Sequence, residues 1–161
     1  MAYIRRDYYE GLYGEIPEAD FTRLSFEANR ILDLHTTGID NVKKLKRYFP
    51  TDEDDAELVK RCAAKLVRFL HQVQTAELAA MESRGYESTE QGMRGKVISS
   101  VSAGNESITY ANGISVSTDI DAAVKNKTTR DRMSAEIVWE YLAGVTDDNG
   151  VNLLYMGRYP R

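Results

Sequence analysis

Apolar residues return every third or fourth position along most of the chain, the spacing of one buried face of an α-helix. The first such stretch is IPEADFTRLSFEANRILDLHTTG, where Phe21, Leu24, Ala28, Ile31 and His35 share a face. Pro17 suits a first-turn position, Glu18 and Asp20 complement the positive end of the helix dipole, and Gly38 predicts the stop. A short amphipathic piece, Ile39 to Tyr48, should end before Pro50, because the residue preceding a proline is pushed out of helical geometry.

The strongest element is TDEDDAELVKRCAAKLVRFLHQVQTAELAAMESRG. Thr51 is a good N-cap, acids fill the first turn, and Gly85 predicts the end. Leu58 or Val59, Cys62, Leu66, Phe69 or Leu70, and Val73 form its expected core stripe, after which Ala76, Ala79 and Ala80 allow another helix to approach closely. A third helix is predicted in TTRDRMSAEIVWEYLAG, with Thr128 as cap, Met133, Ile137, Trp139, Tyr141 and Leu142 as its apolar residues, and Gly144 closing it.

The pattern changes in GKVISSVSAGNESITYANG. Two strand-like runs flank Gly104-Asn105, a two-residue turn with glycine first, which predicts a β-hairpin over about residues 95–113. Its only sizeable apolar groups, Val97, Ile98, Val101, Ile108 and Tyr110, are split between two faces. An isolated hairpin of this kind is marginal in water, so its missing contacts come either from the chain's own helices or from another subunit pairing along an edge. The preceding residues, Tyr86 to Gly92, read as a polar linker.

The tail, about residues 147–161, follows the turn Asp147-Asp148-Asn149-Gly150 and then becomes apolar and aromatic. Leu153, Leu154, Tyr155, Met156, Arg158 and Tyr159 include the residue types enriched at interface centres. The expectation is a segment hinged at the turn that docks on a partner, with folding back onto its own bundle as the other arrangement.

The 161 residues are 42% hydrophobic and 29% charged, which fits one soluble globular domain over residues 1–161 and is too apolar for a disordered chain. A net charge of −4 argues against a protein that binds by neutralising phosphates. The basic cluster Lys43, Lys44, Lys46, Arg47 is followed at once by Asp52 to Asp55, so a solvated helix face is the reading, without a continuous basic groove. Cys62 is the single cysteine, which rules out an intrachain disulfide. No stretch has the roughly 18 apolar residues that span a bilayer, and no leader pattern opens the chain, so the expected starting compartment is a cytoplasm.

Candidate chemistry is sparse. Gly92-Met93-Arg94-Gly95-Lys96 fails as a phosphate loop because Glu90 stands where the earlier glycine is needed and Val97 follows the lysine. Asp147 to Gly150 fails as a calcium loop because its first ligand would be Val145. His35 and His71 fall on different helices, and Cys62 lies on an apolar stripe where a thiol is usually inert. No enzyme activity, cofactor or metal site is expected.

Taken in order, these phrases resemble the head–tail connector (adaptor) proteins of tailed bacteriophages. The resemblance rests on YYEGLYGEIPEADFTRLSFEANRILDLHT, the long helix Asp54 to Met81, the phrase GKVISSVSAGNESITY, and a closing helix before LLYMGRYP. It implies a mainly α fold: a helical bundle with an inserted β-hairpin and an extended C-terminal tail. It also implies a homo-oligomeric ring, commonly a dodecamer, that joins the portal protein to the next neck or tail-completion protein. The genome DNA passes through the channel without sequence-specific binding, no membrane is involved, and the site of action is the virion after assembly in the host cytoplasm. On this resemblance the hairpin and tail residues named above are partner contacts. The alternative is a small helical regulatory or DNA-binding protein, suggested by helix, turn and helix in Phe21 to Tyr48, although no recognition helix there carries the set of Arg, Asn and Gln expected to read bases.

Overall fold

The computed structural model describes residues 2–83, 86–89, 92–95 and 118–160. These residues are mainly helical, in chain order α1 (Arg6–Tyr13), α2 (Glu18–His35), α3 (Lys44–Arg47), α4 (Glu53–Ser83), β1 (Tyr86–Thr89), β2 (Gly92–Gly95), α5 (Thr118–Lys125) and α6 (Lys127–Leu142). The long helix α4 is the axis of the fold, with α2, α5 and α6 packed along it.

The stripe predicted for α4 is buried. Val59, Cys62, Leu66, Phe69 and Val73 are enclosed, together with Ala63, Ala64 and Val67, while Leu58 is partly exposed. Burial on so wide an arc follows from neighbours on more than one side. α2 supplies Phe21, Leu24, Ala28 and Leu32, and α6 supplies Val138 and Leu142. A smaller cluster, Phe69, Val73 and Ala123, joins the far half of α4 to α5. Ala76 is buried there as the small-residue pattern predicts, whereas Ala79 faces solvent.

Several boundaries differ from the sequence expectation for local reasons. The N-cap of α4 is Asp52, not Thr51. The Asp52 Oδ1 accepts from the backbone N–H groups of Asp54 at 3.1 Å and Asp55 at 3.0 Å. Thr51 instead donates its hydroxyl to Asp148 Oδ1 at 2.9 Å, tying the helix start to the C-terminal turn. For α6 the cap is Asn126, whose Oδ1 accepts from Thr128 N–H at 2.8 Å. The separate helix α5 before it was not evident in the sequence, because its eight residues offer only Ile120, Ala123 and Val124 to the core.

The aromatic lead forms α1, also unforeseen, and Tyr3, Ile4 and Tyr9 join the main core. Residues 39–43, expected to be helical, form a tight turn instead, closed by a bridge between Thr37 and Lys43 with Asn41 at φ 64°. Trp139, expected among the apolar residues of its helix, is 60% exposed, because α6 turns Ser134, Val138 and Leu142 inward.

Tyr86 to Gly92, read as a linker, contributes most of an antiparallel ladder that pairs Tyr86 with Gly95 and Thr89 with Gly92. The hairpin predicted over about residues 95–113 lies outside the described residues apart from Gly95, and so do Val97, Ile98, Val101, Ile108 and Tyr110.

Candidate interaction surfaces

The C-terminal segment departs most from the sequence expectation. Leu153 is wholly buried and Leu154 nearly so, both in the main core, so neither is available to a partner. The turn before them is not a loose hinge. Asp147, itself buried, accepts from Asn149 N–H at 3.0 Å, Val151 N–H at 2.9 Å and the Tyr159 hydroxyl at 2.7 Å. Gly150, at φ 75°, supplies the backbone conformation the turn needs. A bridge between Thr146 and Asn152 closes it, and Asp55 of α4 accepts from both the backbone N–H and the hydroxyl of Thr146.

Beyond Leu154 the chain runs as a strap across the turn at 37–43 and the short helix α3. Lys44, 1% exposed, extends under it and donates from Nζ to the carbonyls of Asn152, at 3.1 Å, and Tyr155. Burial pushes the Lys44 ammonium below the usual lysine range, while Asp147 and Asp40 work against that shift. The sequence reading placed Lys44 on a solvated basic face. In the fold only Lys43, Lys46 and Arg47 of that cluster are exposed.

The strap is held at three further places. Ile39 N–H donates to the Met156 carbonyl at 3.0 Å. Tyr159 N–H donates to Asp40 Oδ2 at 2.8 Å, and the Tyr159 ring stacks on Tyr48 with centroids 4.9 Å apart. Gly38 permits the approach, since a Cβ at that position would lie 2.7 Å from the Gly157 carbonyl oxygen. What remains accessible is a compact apolar patch of Ile39, Tyr155 and Met156, with Arg158 exposed beside it.

A second surface is a groove of about 630 Å³ between α2, α4 and α6. Leu24, Ile31, Leu70 and Val73 contribute its apolar lining, and Phe26 and Leu34 of α2 line it while remaining 71% and 66% exposed. Its charged side chains are paired within the chain: Arg23 with Asp20 at 3.4 Å, Arg30 with Glu27 at 2.6 Å, Lys127 with Asp131 at 2.6 Å, and Arg130 with Glu77 at 2.9 Å. The hydrogen bonds from Arg30 hold Glu27 below the usual carboxylate range.

Groups with chemical potential are placed as packing residues. Cys62 is buried against α6, and burial pushes its thiol up to about 12, far from a reactive thiolate. His35 and His71 are half-buried on separate helices, and burial lowers the His35 imidazole from its ordinary value. Tyr8 donates to Glu57 at 2.6 Å, and burial with that bond raises its hydroxyl to about 12. Among the described residues, no group of three or more His, Cys, Asp or Glu is placed to hold a metal. No helix among them is long and apolar enough to cross a membrane.

No protein-family model matches the chain, and neither a curated protein nor a solved structure matches it.

Proposed function

We propose that this chain is a subunit of a phage head–tail connector, a homo-oligomeric ring, commonly of twelve copies, between the portal protein and the next neck or tail-completion protein. The role is structural, without a catalytic step or cofactor, and the ring leaves a channel through which genome DNA slides. The reading places the protein in the virion after assembly in the host cytoplasm.

What supports it most is where the phrases behind the resemblance meet. The end of α2 and the LLYMGRYP tail, both quoted for the resemblance, are distant in sequence yet meet at one end of the bundle through the turn that follows α2. The Tyr3 ring stacks on Phe49 at 6.1 Å and its hydroxyl bonds Asp33 of α2. The turn after α2 in turn carries the strap through Ile39 and Asp40. On this reading Ile39, Tyr155, Met156 and Arg158 face a neighbouring component, with Leu153 and Leu154 anchoring them from below. An inserted hairpin bearing Val97, Ile98, Val101, Ile108 and Tyr110 serves contacts between subunits.

The test is genetic and structural. A nonsense mutation in the gene should leave DNA-filled heads without tails, and antibody labelling of complete virions should mark the neck. Tailed, infectious particles that lack the protein would refute the proposal.

A further inference from the structure

Asn149 is followed by Gly150, and an asparagine before a glycine is the pair in which a side-chain amide is lost most readily. Glycine has no Cβ to hinder its own backbone nitrogen, which attacks Cγ of the asparagine. The N–Cγ bond forms, the Cγ–Nδ2 bond breaks, and the proton given up by the backbone nitrogen ends, by way of solvent, on the departing ammonia. Water then opens the five-membered imide at either carbonyl, giving aspartate or, with the backbone rerouted through Cγ, isoaspartate. One water enters and one ammonia leaves, with no oxidant or cofactor. Both residues are exposed, so solvent base reaches the reacting atoms.

What restrains the reaction is geometry. Gly150 N–H donates to the Asp147 carbonyl at 2.8 Å, closing a four-residue turn with Asn149 third. Asn149 is not at positive φ, so the turn is of type I, which sets ψ of the third residue at about 0°. Closing the imide requires Cβ, Cα, the carbonyl carbon and the next nitrogen to lie near one plane, a rotation of about 120° in ψ away from that turn. The side chain is pinned as well. Asn149 Nδ2 donates to the Tyr159 hydroxyl at 2.9 Å, and that hydroxyl donates to Asp147 Oδ2 at 2.7 Å. The stack on Tyr48 and the N–H bond to Asp40 hold Tyr159 over the turn. Its bonds with Asn149 and Asp40 are both exposed, so the strap can lift while the helices stay packed.

We infer that Asn149 is a deamidation site guarded by the strap: it converts to aspartate and isoaspartate when Tyr159 lifts away, and the conversion then weakens the strap. Loss of Nδ2 removes a donor to the Tyr159 hydroxyl and adds a carboxylate to a turn that already carries Asp147 and Asp148. Isoaspartate also lengthens the backbone by a methylene between the Asn149 and Val151 N–H groups, both of which bond Asp147 Oδ1. A strap that has stayed open long enough to react does not regain its first strength, so the modified turn is a one-way record of opening.

Peptide mapping by mass spectrometry, on the full chain aged in mildly alkaline buffer, tests this. Burial and the bond to Asp147 raise the Tyr159 hydroxyl above its ordinary value, so the guard keeps its proton under these conditions. The tryptic peptide from Met133 to Arg158 carries Asn149 and is separate from the one carrying Asn112-Gly113, which lies outside the described residues. Conversion in the native wild type should be at least about ten-fold slower than in guanidinium. Tyr159→Phe keeps the ring but removes the hydroxyl, and should speed the native reaction about five-fold while leaving the rate in guanidinium unchanged. Asn149→Asp copies one product, and should lower amide exchange protection at residues 155–159 about five-fold at neutral pH.

No conversion of Asn149 in guanidinium overturns the inference, as do equal rates in the native and unfolded chains. A native rate in Tyr159→Phe no faster than that of the wild type would assign the restraint to the turn alone and overturn the guarding by the strap. Unchanged protection in Asn149→Asp would overturn the return effect on the strap. These outcomes concern the chain by itself, and none bears on whether the protein sits in a virion neck.

Discussion

The ammonium of Lys44 donates to the backbone carbonyl of Asn152 at 3.1 Å, across 108 residues of sequence. With its second bond, to the Tyr155 carbonyl, it ties the C-terminal strap to the short helix that precedes α4. Lys44→Met keeps the apolar stem but removes the donors, leaving two carbonyls without this partner. Relief from burying the charge offsets part of the loss. The expected net cost is about 2 kcal/mol, read in urea denaturation as a lower midpoint with an unchanged slope.

Removal of the tail tests the correction to its role. Leu153 has no exposed surface, so Leu153→Ala should destabilise the folded chain by about 3 kcal/mol. Met156 is 57% exposed, and Met156→Ala should stay within about 0.5 kcal/mol. Truncation after Gly150 should therefore leave a chain that is partly or wholly unfolded by circular dichroism. A truncated protein that melts like the full chain would return the segment to the status of a free docking tail.

The start of α4 gives a sharper test of local structure. Asp52→Ala removes the side-chain acceptor for two N–H groups and should cost about 1 kcal/mol. Thr51→Ala loses only the exposed bond to Asp148 and should cost less. Thermal denaturation of the two variants ranks them directly, and the reverse order would restore Thr51 as the cap.

These differences mark what could be read from the sequence. The stripe of α4 was legible because periodicity reports a helix buried along one face, and Val59, Cys62, Leu66, Phe69 and Val73 are enclosed accordingly. Adjacent capping candidates were not separable, since Thr51 and Asp52 are both good caps and the Thr51 hydroxyl is bonded instead to Asp148, nearly a hundred residues away. The tail was misjudged for a related reason. Leucines and tyrosines have the same composition at an interface and in a core, and only the turn built on Asp147 directs Leu153 inward. Lys44 was hidden by its neighbours, because a lysine among exposed basic residues gives no sign that its own ammonium is satisfied by carbonyls from the far end of the chain.

Cys62 should behave as a packing residue. With the thiol buried and its ionisation pushed up to about 12, reaction with an aromatic disulfide reagent at neutral pH should be slow in the native protein and fast in denaturant. Rapid labelling of the native chain at one equivalent would mean that α4 and α6 open readily at this level of the bundle.

Acid should loosen the strap before it melts the bundle. Asp40 accepts from Tyr159 N–H at 2.8 Å and Val42 N–H at 3.4 Å, and these backbone donors hold its carboxyl below the ordinary aspartate range. A depressed folded-state value means that the unfolded chain binds the proton first as pH falls. The stabilisation is then fully present above the unfolded value and is lost as pH drops through the folded one. Glu57, lowered chiefly by the hydrogen bond from Tyr8, adds a contribution of the same sign at the N-terminal side. Wild-type stability should therefore decline through and below the usual carboxylate range. Asp40→Asn should flatten that decline while lowering stability at neutral pH, since the amide oxygen is a weaker acceptor for the Tyr159 N–H. Amide hydrogen exchange at residues 155–159 is the direct readout, with protection falling at acid pH in the wild type ahead of α4 and already reduced at pH 7 in the variant. Equal protection in both proteins at every pH would remove Asp40 as the anchor of the strap.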